Sequence, residues 1–143
     1  MTFTSTTNSD LSNDPIPTTT GVDNMIAFAW DDLDPNGGLD GTIEYFTTGT
    51  APNRILVMNF IDVPHYPGGG PTVSTQVLLY EGTNTIEIHN TDVQNDGGSM
   101  TQGIENIDGT AGFPVPGRNS TVWTAVSDAW RFELPTSGPV TFS

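Results

Sequence analysis

Apolar and polar residues alternate with period two along most of the chain, and clusters of Gly, Pro, Asn and Asp separate the alternating runs. This pattern is typical of short β-strands joined by turns. No segment shows the periodicity of a helix, and no long internal repeat is present. The predicted strands lie near residues 2–5, 25–30, 42–47, 54–61, 73–80, 85–90, 99–105, 121–125 and 129–134.

Two of these runs, MIAFAW (25–30) and ILVMNFI (55–61), are apolar at nearly every position. Such runs are typical of central strands that are buried on both faces. In TIEIHN (85–90) the two isoleucines are expected to face inward, and YEGTNT (80–85) predicts a hairpin loop. The strand spacing predicts an all-β fold, an antiparallel two-sheet β-sandwich with connections of the jelly-roll or Greek-key type.

Composition and charge narrow the choice of partners. The 143 residues suit a single domain, with 17 acidic residues against 3 basic ones and a formal net charge of −14. A surface of this charge repels phosphate backbones and anionic lipids, so nucleic acid and membrane insertion are not expected. Other protein chains, cations or neutral sugars fit better. The absence of cysteine excludes disulfides and a thiol nucleophile.

The stretch WDDLDPNGGLDG (30–41) is the clearest candidate for chemistry. It contains the first half of an EF-hand-like calcium loop, with oxygen ligands at alternate positions and a glycine for the sharp bend. The acid that would close such a loop is missing, because Ile43 stands at the twelfth position. The alternative is an acidic turn in which Asp and Asn bond their own backbone. The candidate calcium ligands are Asp32, Asp34, Asn36 and Asp40.

The remaining motifs are weaker. Residues 92–98 form a second acidic loop, for which calcium is again an alternative to a plain turn. Tyr66, in the loop HYPGGGP, is the best candidate for an exposed ring that stacks on a sugar. The two histidines, His65 and His89, are isolated and are expected to serve as surface or packing residues. No catalytic motif is present, so the chain is not expected to be an enzyme.

Five phrases in order carry a resemblance to a known kind of module: DNMIAFAWDDLDPNGG, GTIEYFTTGTAPNRILVMNFIDVPHYPGG, VSTQVLLYEGTNTIEIHNTDV, TQGIENIDGTAG and GRNSTVWTAVSDAWRFE. The chain resembles a β-sandwich module of large secreted and surface proteins, including adhesins, of gliding bacteria that export cargo by the type IX route. It is also distantly similar to the nidogen-like extracellular domain. The resemblance covers about residues 2–134 and implies a non-catalytic module that is secreted and lies at the bacterial cell surface. It implies no particular ligand.

The resemblance also predicts an assembly role. Modules of this kind begin with further strands, so residues 1–143 are expected to form one domain that lacks upstream strands and has an open sheet edge. Another chain would fill this edge, for example the tail within residues 135–143 of a neighbour, in a filament or a larger adhesin. The alternative for the edge is simple truncation. The alternative function is a carbohydrate-binding module of a secreted enzyme, with Tyr66 as the ligand-contacting residue.

Overall fold

The computed structural model describes residues 1–3, 11–39 and 41–135. Strands and turns make up this part of the chain, which contains no helix, as the period-two pattern predicts. The eight strands are β1 (Met25–Trp30), β2 (Thr42–Thr48), β3 (Ile55–Pro64), β4 (Thr72–Tyr80), β5 (Ile86–Val93), β6 (Thr101–Glu105), β7 (Gly112–Pro114) and β8 (Ala125–Phe132).

The strands form two antiparallel sheets. The large sheet has the order β2-β3-β4-β5-β8, and the small sheet has the order β1-β6-β7. The apolar face of the large sheet packs against the small sheet, and the buried residues of both form one core. The all-β prediction is therefore confirmed, and the arrangement is a β-sandwich.

Four strands of the large sheet follow one another along the chain as hairpins, and β8 completes the sheet beside β5. YEGTNT forms the predicted hairpin between β4 and β5, in which the Tyr80 amide donates to the Thr85 carbonyl over 3.0 Å. Ile88 faces inward and is fully buried, as the alternation predicts. One row of side chains on the inner face contains Tyr45, Met58, Val77, Ile88 and Trp130.

The small sheet joins two distant parts of the chain. Strand β1 pairs with β6, with Met25 opposite Glu105. One face of β1 contributes Phe28, whose ring stacks on Phe60 of the large sheet at a centroid distance of 3.9 Å. The other face is covered by the segment before β1, where the buried Ile16 packs against Met25 and its neighbours.

A buried polar group connects the two sheets at their centre. Gln102 of β6 is fully buried, and its amide donates to the Phe28 carbonyl over 2.6 Å and to Asn90 Oδ1 over 3.0 Å. Asn90 donates to Asp128 Oδ1 over 2.6 Å, and Arg118 forms an ion pair with Asp128. Because most of these polar atoms have partners, the network holds the sheets in register without the usual cost of burying polar groups.

The structure corrects several predicted elements. Residues 121–125 do not form a strand of their own, since Thr121 makes only an isolated bridge and the last strand runs over Ala125–Phe132. β7 was not predicted, because three residues are too few to show a period. Of the predicted strand at 2–5, Thr2 forms a bridge with Met25, Phe3 lies in a bend and its amide donates to the Asn24 carbonyl over 2.8 Å, and residues 4–5 lie outside the described residues.

The expectation of two strands buried on both faces holds for one of them. β1 is buried on both faces, although it lies at the end of the small sheet, because the preceding segment covers it. β3 is only half-buried, and Ile61 near its end is exposed. The continuous apolar run thus predicts the burial of β1 correctly but predicts more burial than β3 has. β3 lies next to β2, whose residues are all exposed.

Candidate functional site

The acidic loop forms a turn that is closed by its own side chains. The Asn36 amide donates to Asp34 Oδ1 over 3.0 Å, and the Gly37 amide donates to the Asp34 carbonyl over 3.0 Å. The side chains of Asp32 and Asn36 belong to the same loop, and Asp40 lies outside the described residues. This geometry is that of an Asx turn, which needs no ion. Calcium binding by the loop stays a prediction.

The acidic loop and the HYPGGGP loop pair with each other. The Asp34 amide donates to the Pro64 carbonyl over 2.9 Å, and the Tyr66 amide donates to the Asp32 carbonyl over 2.8 Å. Further along, Gly68 packs directly on Gly37, so closely that a Cβ atom at residue 68 would lie 2.4 Å from the Gly37 backbone. The two loops therefore form one unit at this end of the sandwich.

His65 lies inside this unit and is buried. Its Nδ1 atom is 3.0 Å from Asp31 Oδ2, and its Nε2 atom is 3.0 Å from the Gln94 carbonyl oxygen. Burial alone lowers the pKa of His65, but the hydrogen bonds to Asp31 and Gln94 outweigh it, together with the charges of Asp31 and Asp96. The net effect raises the pKa of His65 above its ordinary value.

Asp96 completes a group of three side chains, Asp31, His65 and Asp96, which we term the His65 cluster. One ligand atom from each residue lies within 4.8 Å of the other two. The sequence draws attention to the loops of Asp31 and Asp96 separately, but it does not indicate that they meet at His65. The sequence does indicate that each of these loops follows a strand. It does not indicate which loops lie at the same end of the sandwich.

Tyr66, the predicted sugar-contacting residue, lies next to the His65 cluster along the chain. Its side chain is 63% exposed, in agreement with its position in a Gly- and Pro-rich loop. His89 lies elsewhere, on the outer face of the large sheet, where its Nε2 atom is 2.9 Å from Glu87 Oε2. His89 and His65 are therefore not brought together.

The edge strand β2 is a second surface of interest. All seven of its residues are exposed, although Ile43, Tyr45 and Phe46 are large and apolar or aromatic. Tyr45 shares an inner-face row with the buried Val77 but is itself 78% exposed. The small sheet therefore does not reach this side of the large sheet. Among the described residues, the only strand that pairs with β2 is β3.

A test of the acidic loop is the substitution Asp34→Ala. We expect it to lower the free energy of unfolding by about 1 kcal/mol, because one turn-closing hydrogen bond is lost. The measurement is urea denaturation of the wild type and the variant, each with and without millimolar calcium. We expect the same loss in both conditions. A stabilisation by calcium that disappears in the variant would instead support the predicted calcium site.

Two antiparallel sheets around one core, with loops packed at one end, define a β-sandwich module. The model of the family described as NIDO related matches residues 1–141, and the chain belongs to this family. No curated protein and no solved structure matches the chain. Membership of the family indicates an extracellular module. In the described part of the chain, no helix is long and apolar enough to cross a membrane.

Proposed function

We propose that this chain is a non-catalytic extracellular module for adhesion or subunit assembly, and that it associates with another protein chain through the edge of β2 that faces away from β3. The observation that carries the proposal is the exposure of all seven residues of β2. The resemblance of five sequence segments to surface proteins of gliding bacteria further supports a place in a larger adhesin that is exported by the type IX route.

Apart from the single charge of Glu44, strand β2 lacks the features that normally protect a sheet edge. Such edges usually carry lysine, proline or a β-bulge, or are very short. β2 contains neither lysine nor proline, and its pairing with β3 runs without a register shift from Thr42 opposite Ile61 to Thr48 opposite Ile55. Among the described strands none pairs with the side of β2 that faces away from β3, so the backbone groups on that side are well placed to accept a further strand.

A second copy of this chain fits the edge. If two β2 strands pair antiparallel about a two-fold axis at Tyr45, each Glu44 lies opposite Phe46 of the other copy, and Ile43 lies opposite Thr47. Glu44 is the only charged residue of β2, so this register brings no like charges opposite each other. The interface would be isologous, with the same strand used by both copies.

Sedimentation velocity at physiological salt tests the proposal, because salt screens the net charge of −14 beyond a short distance. We expect the wild type to dimerise and Tyr45→Lys to weaken dimerisation at least tenfold. Tyr66→Lys is the matched control, since it makes the same change at another exposed tyrosine, and it should dimerise like the wild type. A wild type that stays monomeric up to about 1 mM would refute association of two copies through β2.

Carbohydrate binding is the second candidate function. The exposed ring of Tyr66 supports it, because it offers an apolar face on which a sugar could stack. A glycan array with the wild type and Tyr66→Ala tests this alternative. A saccharide signal that depends on Tyr66 would favour it, and the absence of any signal would favour assembly.

A further inference from the structure

The tautomer of His65 is determined by a group outside the His65 cluster. The Gln94 carbonyl oxygen, 3.0 Å from Nε2, can only accept a hydrogen bond, so Nε2 carries a hydrogen. The hydrogen bond from Nε2 fixes the orientation of the buried ring. In this orientation Nδ1 points at Asp31 Oδ2, 3.0 Å away. Metal-binding histidines are commonly oriented by such a bond from the second ring nitrogen to a backbone carbonyl.

A hydrogen or a metal cation must lie between Nδ1 and Asp31 Oδ2. A neutral ring with its hydrogen on Nε2 has a lone pair on Nδ1, and a carboxylate oxygen offers only lone pairs, so the two atoms would otherwise repel each other. A proton can fill this position, and so can a metal cation. Two tetrahedral zinc bonds of about 2.1 Å separate their outer atoms by about 3.4 Å, so binding of zinc would require Nδ1 and Oδ2 to move apart by about 0.4 Å from the observed 3.0 Å.

The remaining surroundings favour a cation. Asp96 brings a second carboxylate to the same point from the loop after β5, and its Oδ1 atom is held by the Gly98 amide at 2.7 Å. Asp31 is held as well, since its Oδ1 atom accepts from the Asp32 amide over 2.9 Å. One imidazole nitrogen and two carboxylate oxygens form a donor set suited to zinc and similar transition metals, whereas calcium prefers oxygen ligands alone.

We propose that Asp31, His65 and Asp96 form a binding site for a divalent transition-metal cation, with zinc as the probe. The cation would take the place of the proton between His65 and Asp31 and would draw in Asp96. It would thereby join the ends of β1 and β3 to the loop between β5 and β6. The proposal is independent of association through β2.

The test uses the full chain, freed of metal by a chelator, with His89→Gln as the background, because the sequence has only two histidines. Isothermal titration with zinc chloride at pH 7.5 is expected to show one bound zinc per chain, and calcium chloride no binding. Nitrogen-15 NMR should show that the His65 ring loses its Nδ1 proton when zinc is added. Absence of zinc binding, or an Nδ1 proton that persists, would show a site for a proton only and refute the proposal.

Two exposed carboxylates provide a matched pair of variants. Asp96→Asn removes the third ligand but keeps an oxygen for the Gly98 amide, and we expect it to weaken zinc binding at least tenfold. Asp108→Asn makes the same change where Oδ1 accepts from the Thr110 amide, far along the chain in the loop between β6 and β7. It should bind zinc like the parent. Equal zinc affinity of both variants would refute the participation of Asp96.

Discussion

Replacing Arg118 with methionine is expected to lower the free energy of unfolding by about 3 kcal/mol, because the partly buried Asp128 carboxylate then lacks its cation. The Arg118 side chain is only 13% exposed, and it also donates to Gln102 Oε1 over 2.6 Å. Its guanidinium lies 4.6 Å from the centre of the Trp123 ring and 5.8 Å from that of Trp130. Methionine restores some of the packing but none of the hydrogen bonds.

The pH dependence of this loss identifies its cause. Burial raises the pKa of Asp128, but hydrogen bonds from Arg118 and Asn90 and the charge of Arg118 outweigh it and lower the pKa below its ordinary value. The carboxylate therefore stabilises the fold at pH values above its ordinary pKa, and this contribution is lost as the pH falls through the lowered pKa. The difference between wild type and Arg118→Met should shrink accordingly between neutral pH and about pH 3.

The control is Arg54→Met, which removes the other arginine that pairs with a single carboxylate. Arg54 and Glu81 form an ion pair on the surface, with side chains 53% and 33% exposed. Pairs of this kind contribute little to stability, because water already solvates both groups. Urea denaturation should give a much smaller loss for Arg54→Met than for Arg118→Met. Equal losses would contradict the role assigned to the buried network.

The substitution Gly68→Ala is expected to destabilise the fold by at least about 2 kcal/mol. The added Cβ atom would lie 2.4 Å from the carbonyl group of Gly37, which is backbone and cannot rotate away. Residue 68 also has a φ of +93°, a conformation that side chains other than glycine rarely adopt. The two loops would have to separate, and the pairing of Tyr66 with Asp32 would be lost with them.

Gly70→Ala is the matched control in the same loop. A Cβ atom at residue 70 would have no neighbour within 4 Å, and this glycine does not have a positive φ. Thermal unfolding followed by circular dichroism should show a clear drop in melting temperature for Gly68→Ala and almost none for Gly70→Ala. A Gly68→Ala protein as stable as the wild type would show that the loops do not meet as described.

The period-two pattern predicted most of the sandwich, because each strand must place its apolar residues on one side. The period-two pattern gave a wrong prediction where a residue is buried without belonging to a paired strand. Residues 121–124 alternate like a strand, yet Trp123 is buried in a connecting segment and its indole donates to the Met100 carbonyl over 3.1 Å. In the same way, no local pattern distinguishes the exposed Tyr45 from an ordinary inward-facing residue.

The candidate site was predicted only in part. The sequence indicated the acidic loop and Tyr66, because aspartate, glycine and proline in a short stretch are local signals. It assigned His65 a surface or packing role, since a single histidine carries no information about its partners. Asp31, His65 and Asp96 come from three separated segments, and only the connection of the strands brings these segments to one end of the sandwich.

The pairing of β1 with β6 has a consequence for how the chain reaches its native state. Strands β2 to β5 form as successive hairpins, which close short loops and need little search. β1 is synthesised before all of them, but its partner β6 begins only at Thr101. We therefore expect that MIAFAW stays without its native neighbour until most of the domain has emerged, and that its docking is a late event which completes the core.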